Sequence, residues 1–363
     1  MFEARRAKLI QLLGENNLDA AVLVPGPNMY YFTGLQLKQS ERLNLAILTK
    51  SGELIFLVPQ VELSKTESIA DSNKIFWYTD EQGPSQALAQ AKTALGTLSR
   101  IGVEYNQMRV MEAKAAEALG AAQTADVCPI IDTLRMQKDA QEVELMKKAV
   151  AIVEESLQAT LPYIKPGVVE LEIAAQLEYE MRKRGSGGTP FGTIVASGYR
   201  GALPHGRAAD KKIESGDLIV LDFGSTYGGY VADICRTVAV GEIADELKTI
   251  YEVVREAQQA AVDVIKPGIT AREVDETARR IIRERGYGQY FTHRTGHGIG
   301  LSGHEAPYMM QNSQVVLKPG MSFTVEPGIY LPDKGGVRIE DNIVITEDGF
   351  LNLMSYTKEL ITL

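Results

Sequence analysis

Two stretches of this chain repeat each other 101 residues apart. Ile164-Lys-Pro-Gly167 recurs as Ile265-Lys-Pro-Gly268, and at the same offset Glu172 matches Glu273, Arg182 matches Arg283, and Arg184-Gly185 matches Arg285-Gly286. Lys-Pro-Gly alone is a common turn, but several further identities in ungapped register make coincidence a poor account. Each copy reads as helix, turn, second helix and a Gly stop. Two strand-like runs follow each copy, 217–223 with 230–240 and 321–326 with 337–346. A duplicated helix–helix–hairpin unit constrains the fold to two pseudo-symmetric halves facing each other, α+β in class.

The repeat fills the later part of 363 residues, a length that suits two domains. Earlier, a helical pattern over 2–17 and an Ala-rich one over 84–98 alternate with strand-like runs at 20–24, 45–49, 54–58 and 101–105. That alternation predicts a small α/β domain over 1–125 with a mostly parallel or mixed sheet. Residues 126–138 carry Pro129 and little helical periodicity, and are expected to be a linker. Asp139, with Glu142 three residues on, opens the domain 139–363 as a helix cap. Hydrophobic residues at 45% and charged residues at 23% exclude a disordered, coiled-coil or fibrous chain. A net charge of −9 without a Lys/Arg cluster argues against a nucleic-acid partner. Two cysteines, Cys128 and Cys235, argue against a disulfide scaffold and fit a reducing compartment. No apolar run approaches the roughly 18 residues of a membrane span. The expectation is a soluble, cytoplasmic protein with no membrane partner.

Four carboxylates need a reason. If the first hairpin turns at Tyr227-Gly228, Asp222 and Asp233 lie opposite on one face; if the second turns at Asp333, so do Glu326 and Glu340. Like charges directly opposite on a sheet are destabilising. These sit among apolar strand residues, where unpaired carboxylates cost several kcal/mol unless protons or cations compensate. Any one acid alone reads as an exposed hairpin residue; four in symmetric positions point to two metal ions. All four histidines fall in the second domain. His297, in Thr295-Gly-His-Gly-Ile-Gly300, has small neighbours that permit close backbone approach. One imidazole with four carboxylates suits Mn²⁺, Co²⁺ or Zn²⁺. His205 and His304 follow tight turns and are assigned proton-transfer or oxyanion roles, and His293 a structural one. Gly298-Ile-Gly-Leu-Ser-Gly303 matches a dinucleotide fingerprint in letters but lacks the strand-then-helix setting. Ser302 lacks a nucleophile elbow.

Taken in order, Leu203-Pro-His-Gly206, Leu221-Asp-Phe-Gly224, Gly229-Tyr-Val-Ala-Asp233, Arg236-Thr237, Gly296-His-Gly-Ile-Gly-Leu301, His304-Glu-Ala-Pro307, Thr324-Val-Glu-Pro-Gly-Ile-Tyr330 and Gly336-Val-Arg-Ile-Glu-Asp341 resemble the pita-bread metallopeptidases. These include methionine aminopeptidase, aminopeptidase P and the Xaa-Pro dipeptidases (prolidases). Through Pro27-Asn-Met-Tyr-Tyr-Phe-Thr-Gly34 the first domain looks like the N-terminal domain of prolidases, aminopeptidase P and creatinase. The resemblance implies a pita-bread catalytic domain behind a smaller α/β domain. It makes Asp222, Asp233, His297, Glu326 and Glu340 ligands of two divalent ions, Mn²⁺ foremost, with Asp233 and Glu340 bridging. A shared hydroxide would attack the scissile carbonyl, Glu326 accepting the water proton. His205 and His304 would hold the oxyanion, leaving side or substrate carboxylate. Arg338 would steady the charged intermediate or the bridging acids, or serve as a structural ion pair. The implied activity is hydrolysis of Xaa-Pro bonds in a proline-containing dipeptide by a homodimer. Aminopeptidase P action on longer peptides is the alternative. A creatinase-like small C–N hydrolase and a non-catalytic binding module rank lower, because all five ligands are present. Two positions depart from the pattern: Tyr308 stands where some prolidases carry Arg, and Cys235 where Ser or Thr is common.

Overall fold

The computed structural model describes residues 1–363, apart from the side chain at position 73. They form two compact units, Met1–Arg135 and Met136–Leu363.

The first unit runs α1 (Phe2–Glu15), β1 (Ala20–Leu23), α2 (Pro27–Thr33), β2 (Leu45–Thr49), β3 (Leu54–Pro59), α3 (Leu63–Glu67), β4 (Ile75–Tyr78), α4 (Ser85–Leu95), β5 (Arg100–Val103), α5 (Val110–Ala118), β6 (Gln123–Asp126) and α6 (Cys128–Arg135). Its sheet has the order β4-β3-β2-β1-β5-β6. β1 pairs antiparallel with β2 and parallel with β5, so the sheet is mixed. Most of the segment expected to be a linker is α6. Pro129 falls in its first turn, where the missing N–H is no loss. The helix buries Cys128, Ile131 and Arg135, and a cation on the inward stripe hides the periodicity from a hydrophobicity reading. Arg135 is accommodated by donating from Nη1 to Asn28 Oδ1 at 2.7 Å. Asn28 in turn donates to Glu104 at 2.6 Å, and Glu104 also accepts from the Val24 amide at 2.7 Å. This polar chain ties α2, β5 and α6 together inside an apolar unit.

The second unit shows the duplication directly. The first half comprises α7 (Ala140–Thr160), α8 (Glu170–Lys183), β7 (Ile194–Ser197), β8 (Leu218–Tyr227) and β9 (Tyr230–Ala239). The second comprises α9 (Asp245–Asp263), α10 (Ala271–Glu284), β10 (Gly296–Gly298), β11 (Glu305–Met309), β12 (Ser322–Val325), β13 (Gly328–Leu331), β14 (Gly335–Arg338), β15 (Asp341–Ile345) and β16 (Phe350–Asn352). Gly167 donates to the Ile213 carbonyl and, at the equivalent place, Gly268 donates to that of Leu317, each at 2.9 Å. Both glycines take φ near +90°, a conformation that favours glycine. Asp139 caps α7 and Thr270 caps α10, each in a reciprocal box with the acid three residues on. One apolar cluster gathers α7, α8 and β7–β9, and another gathers α9, α10 and the later strands.

The register of the first hairpin differs from expectation. Its two-residue loop is Gly228-Gly229, with Tyr227 opposite Tyr230, so Asp222 faces Cys235 and Asp233 faces Gly224. Both loop glycines have positive φ, +57° and +86°, the geometry that joins twisted strands most tightly. Because strand side chains alternate with period two, the shift leaves both aspartates on one face. In the second hairpin Ser322 pairs with Val344 and Gly328 with Arg338, a register centred on Asp333 as expected. Glu326 and Glu340 fall in the break between its two ladders.

Candidate active site

The hairpins of the two halves meet at their acids. The Glu340 amide donates to the Cys235 carbonyl at 3.1 Å. Asn342 grips the Asp233 backbone with its side-chain amide, donating to the carbonyl at 2.7 Å and accepting from the N–H at 3.1 Å. Arg236 pairs with buried Asp341 at 2.8 Å. These contacts set one buried acid from each half side by side. Ligand atoms of Asp233, His297 and Glu340 lie within 4.8 Å of one another. Asp222 and Glu326 complete the group: both line the same cleft with Asp233 and His297, and Glu326 Oε1 is 3.1 Å from His297 Nε2.

The flanking glycines explain how His297 reaches this place. A Cβ on Gly296 would overlap the Thr324 carbonyl, and one on Gly298 the Ala306 carbonyl; both neighbours must be glycine for β10 to slot between β11 and β12. His297 Nδ1 sits 3.1 Å from the Gly298 carbonyl and can only donate to it. Its Nε2 is thereby aimed at Glu326 and the acid cluster.

The electrostatics are those of an uncompensated anionic site. Burial raises Asp233 well above the usual carboxylate range, and the charges of Asp222 and Glu326 push the same way. Glu340 is raised by burial and by Asp233. Asp222 is raised by burial, against the opposing pull of Arg338. Glu326 alone is lowered, to about 2: burial would raise it, but the hydrogen bond to His297 and the charges of His297, His293 and Arg338 outweigh that cost. Asp233 Oδ1 and Glu340 Oε1 are buried with no hydrogen-bond partner. Orphaned buried carboxylate oxygens are expensive, and hard divalent cations are the partners this donor set fits.

Around the acids, Arg338 pairs with Asp222 and donates from Nη1 to Tyr330 Oη at 2.7 Å. Tyr330 Oη lies 2.8 Å from His293 Nε2, and His293 Nδ1 is 2.7 Å from the Arg294 carbonyl. The carbonyl can only accept, so His293 Nδ1 donates, Nε2 accepts, and the Tyr330 hydroxyl donates to it. His293, expected to be structural, lines the cleft with both ring nitrogens held by these partners. His304 packs its ring 3.8 Å from that of His297. Arg294 Nη2 donates to His304 Nδ1 at 3.1 Å, which leaves the ring proton on Nε2. Burial, with the charges of His297 and Arg294, lowers His304 to about 4. It is therefore a neutral hydrogen-bond donor at neutral pH. His205 is exposed on the cleft wall, near Phe191, Ile194, Pro204 and Arg207. The cleft holds about 600 Å³, room for a small peptide. Cys235 is buried, 3.5 Å from the Arg338 carbonyl, its thiol pushed well up by burial. Sequence reasoning missed Tyr330, Arg294 and Arg207. Only Tyr330, four residues after Glu326, stood within a motif.

A duplicated α+β frame with an acid–imidazole cluster in a peptide-sized cleft defines a metal-dependent hydrolase. The chain belongs to metallopeptidase family M24, whose model matches residues 144–347, with a creatinase/prolidase N-terminal domain over residues 5–137. It is 39% identical to the Xaa-Pro dipeptidase of Pyrococcus horikoshii, over 98% of this chain and 97% of that one. Among solved structures it is similar to a prolidase from Thermococcus sibiricus, with TM-score 0.95 and 36% identity over 100% and 99% of the two chains. It is also similar to an X-Pro aminopeptidase from Thermotoga maritima, with TM-score 0.87 and 35% identity over 99% of each. Family membership carries divalent-metal use with it. No helix among the described residues is long and apolar enough to cross a membrane.

Proposed function

We propose that this protein is an Xaa-Pro dipeptidase that hydrolyses the imide bond before a C-terminal proline. Asp222, Asp233, His297, Glu326 and Glu340 hold two divalent ions, with Mn²⁺ the favoured metal. One observation carries the reading: four carboxylates and one imidazole converge in a buried cluster, with orphaned oxygens on Asp233 and Glu340. Bound divalent ions supply a water nucleophile of lowered pKa and polarise the scissile carbonyl. The remaining roles belong to the chain. Glu326, kept ionised, accepts the proton of the attacking water. The Nε2–H of His304 donates to the oxygen on which charge develops; the Arg294 donor on Nδ1 fixes that tautomer, and the low pKa keeps the ring neutral. Arg338, held by Tyr330, pairs with Asp222, orients it and opposes the burial that raises it. Phe191, Ile194 and Pro204 form an apolar wall for a prolyl ring. Relatives bearing the dipeptidase name at 39% identity over nearly the whole chain support the dipeptide substrate. A homodimer in a reducing, cytoplasmic setting completes the reading.

Aminopeptidase P action remains the second reading, favoured by the similarity to the Thermotoga enzyme. A metal-stripped, Mn²⁺-reconstituted assay with an Xaa-Pro dipeptide and the same peptide extended at its C-terminus separates the two. Dipeptide cleavage with little turnover of the extended peptide is expected. The opposite preference favours the aminopeptidase. Absence of metal-dependent cleavage of either would sink both.

A further inference from the structure

Three arginines line the cleft, and they are not equivalent. Arg338 is committed to Asp222 and Tyr330. Arg207 and Arg294 form no ion pair among the described residues, although Asp222, Asp233 and Glu326 share the cleft with them. Arg207 is exposed. Arg294 is half-buried and held in place on two sides: its guanidinium stacks 4.4 Å from the centre of the Tyr308 ring, and Nη2 donates to His304 Nδ1 at 3.1 Å. Its backbone carbonyl is fixed by His293. A guanidinium carries five N–H donors, and one of them is used here. Stacking removes much of the side-chain freedom that an arginine must otherwise lose on binding an anion.

We infer that Arg294 anchors the C-terminal carboxylate of the substrate; the inference rests on the peptidase reading above and deepens it. His304 sets the geometry. One ring nitrogen is occupied by Arg294, and the other carries the proton offered to the scissile carbonyl. In an Xaa-Pro dipeptide the carboxylate carbon is three bonds from the scissile carbonyl carbon. A single imidazole therefore spans the distance between the two groups that must be held. Extension of the peptide by one residue replaces the charge at that position with a neutral amide. The Arg294–Tyr308–His304 stack is thus a selector for free dipeptides, built from residues that lie outside the acid cluster.

The test compares Ala-Pro with Ala-Pro-amide on the Mn²⁺-loaded protein, using wild type, Arg294→Met, Arg294→Lys and Arg207→Met, with circular dichroism and metal content checked for each. Wild type is expected to prefer the carboxylate in kcat/KM by about 10- to 100-fold, the range for a charge-assisted contact in a cleft. In Arg294→Met the KM for Ala-Pro rises by a similar factor while that for the amide stays near its wild-type value, so the preference collapses. Arg294→Lys retains part of it. A kcat change shared by both substrates reports only the lost orientation of His304. Preference intact in Arg294→Met, or lost in Arg207→Met instead, overturns the assignment. Equal wild-type turnover of the two substrates removes the anchor and leaves the peptidase reading standing. Absence of metal-dependent hydrolysis of either removes the peptidase reading and the anchor with it.

Discussion

Asp233 and Glu340 are the residues whose burial makes least sense without a cation, so they carry the sharpest predictions. A carboxyl raised on folding binds its proton more tightly in the native state. Its stabilising contribution is full below the unfolded value of about 4 and is lost as pH rises through the folded value. Lowered His304 and His293 act the opposite way between pH 8 and pH 5. The test is therefore a comparison: on going from pH 8 to pH 5, metal-free wild type should gain Tm relative to metal-free Asp233→Asn, in which the histidine contribution is shared. Glu326, lowered to about 2, acts in the other direction. Its contribution is present above about 4.5 and fades only as pH falls toward 2, outside the window compared. An Asp233→Asn variant whose Tm changes between pH 8 and pH 5 as that of the wild type does would contradict this account. The same Asp233→Asn change should cost the metal-loaded enzyme at least about 100-fold in kcat/KM, the range for losing a group that organises a site. At this scale the acids and His297 were legible because four carboxylates beside apolar runs are costly by rule. Arg294, Tyr330 and His293 were not. Each gains its role from partners such as Tyr308, Arg338 and the Arg294 carbonyl, whose positions only the folded chain defines.

Among elements, β10 is the one that tolerates least. It slots between two strands at Gly296 and Gly298, and a methyl at either must displace a backbone carbonyl. Gly298→Ala is expected to fold less stably and to lose activity by about 100-fold or more, because His297 moves with its strand. Unchanged metal affinity by calorimetry in that variant would show that the strand can yield. The polar chain of Arg135, Asn28 and Glu104 is the corresponding device in the first unit. Glu104→Ala leaves the Val24 N–H and the Asn28 amide without their acceptor, and should lower unfolding stability by about 2 kcal/mol or more in urea titration. The sequence showed the main helices and hairpins here through periodicity and turn chemistry. It hid α6 behind the charge of Arg135, and it misplaced the first hairpin turn by one residue, because Tyr227-Gly228-Gly229 offers two adjacent places to reverse. The error was harmless to the site, since that shift moved the partner of Asp222 by two positions and preserved the face.

For the molecule as a whole, the duplication was the most legible feature and also the most consequential. The offset read from Lys-Pro-Gly reappears as equivalent turn hydrogen bonds and two separate apolar clusters. How the halves join was not visible, because Asn342 and Arg236 act on backbone and side chains more than 100 residues away. Chelation at neutral pH should lower the Tm of the whole chain, and Mn²⁺ should restore it in a concentration-dependent way, as for any ligand bound only by the native state. Calorimetry with and without a chelator reads this directly, and an unchanged Tm would argue against a resident metal. The meeting of the hairpins also fixes an order of events during synthesis. The ribosome makes Asp222 and Asp233 well before His297, Glu326 and Glu340, and Asn342, which holds Asp233, comes later still. A nascent chain thus displays two acids without their partners and offers a passing metal ion no finished cage. Assembly of the complete ligand set becomes an act of a chain that already carries its last acids, Glu326 and Glu340.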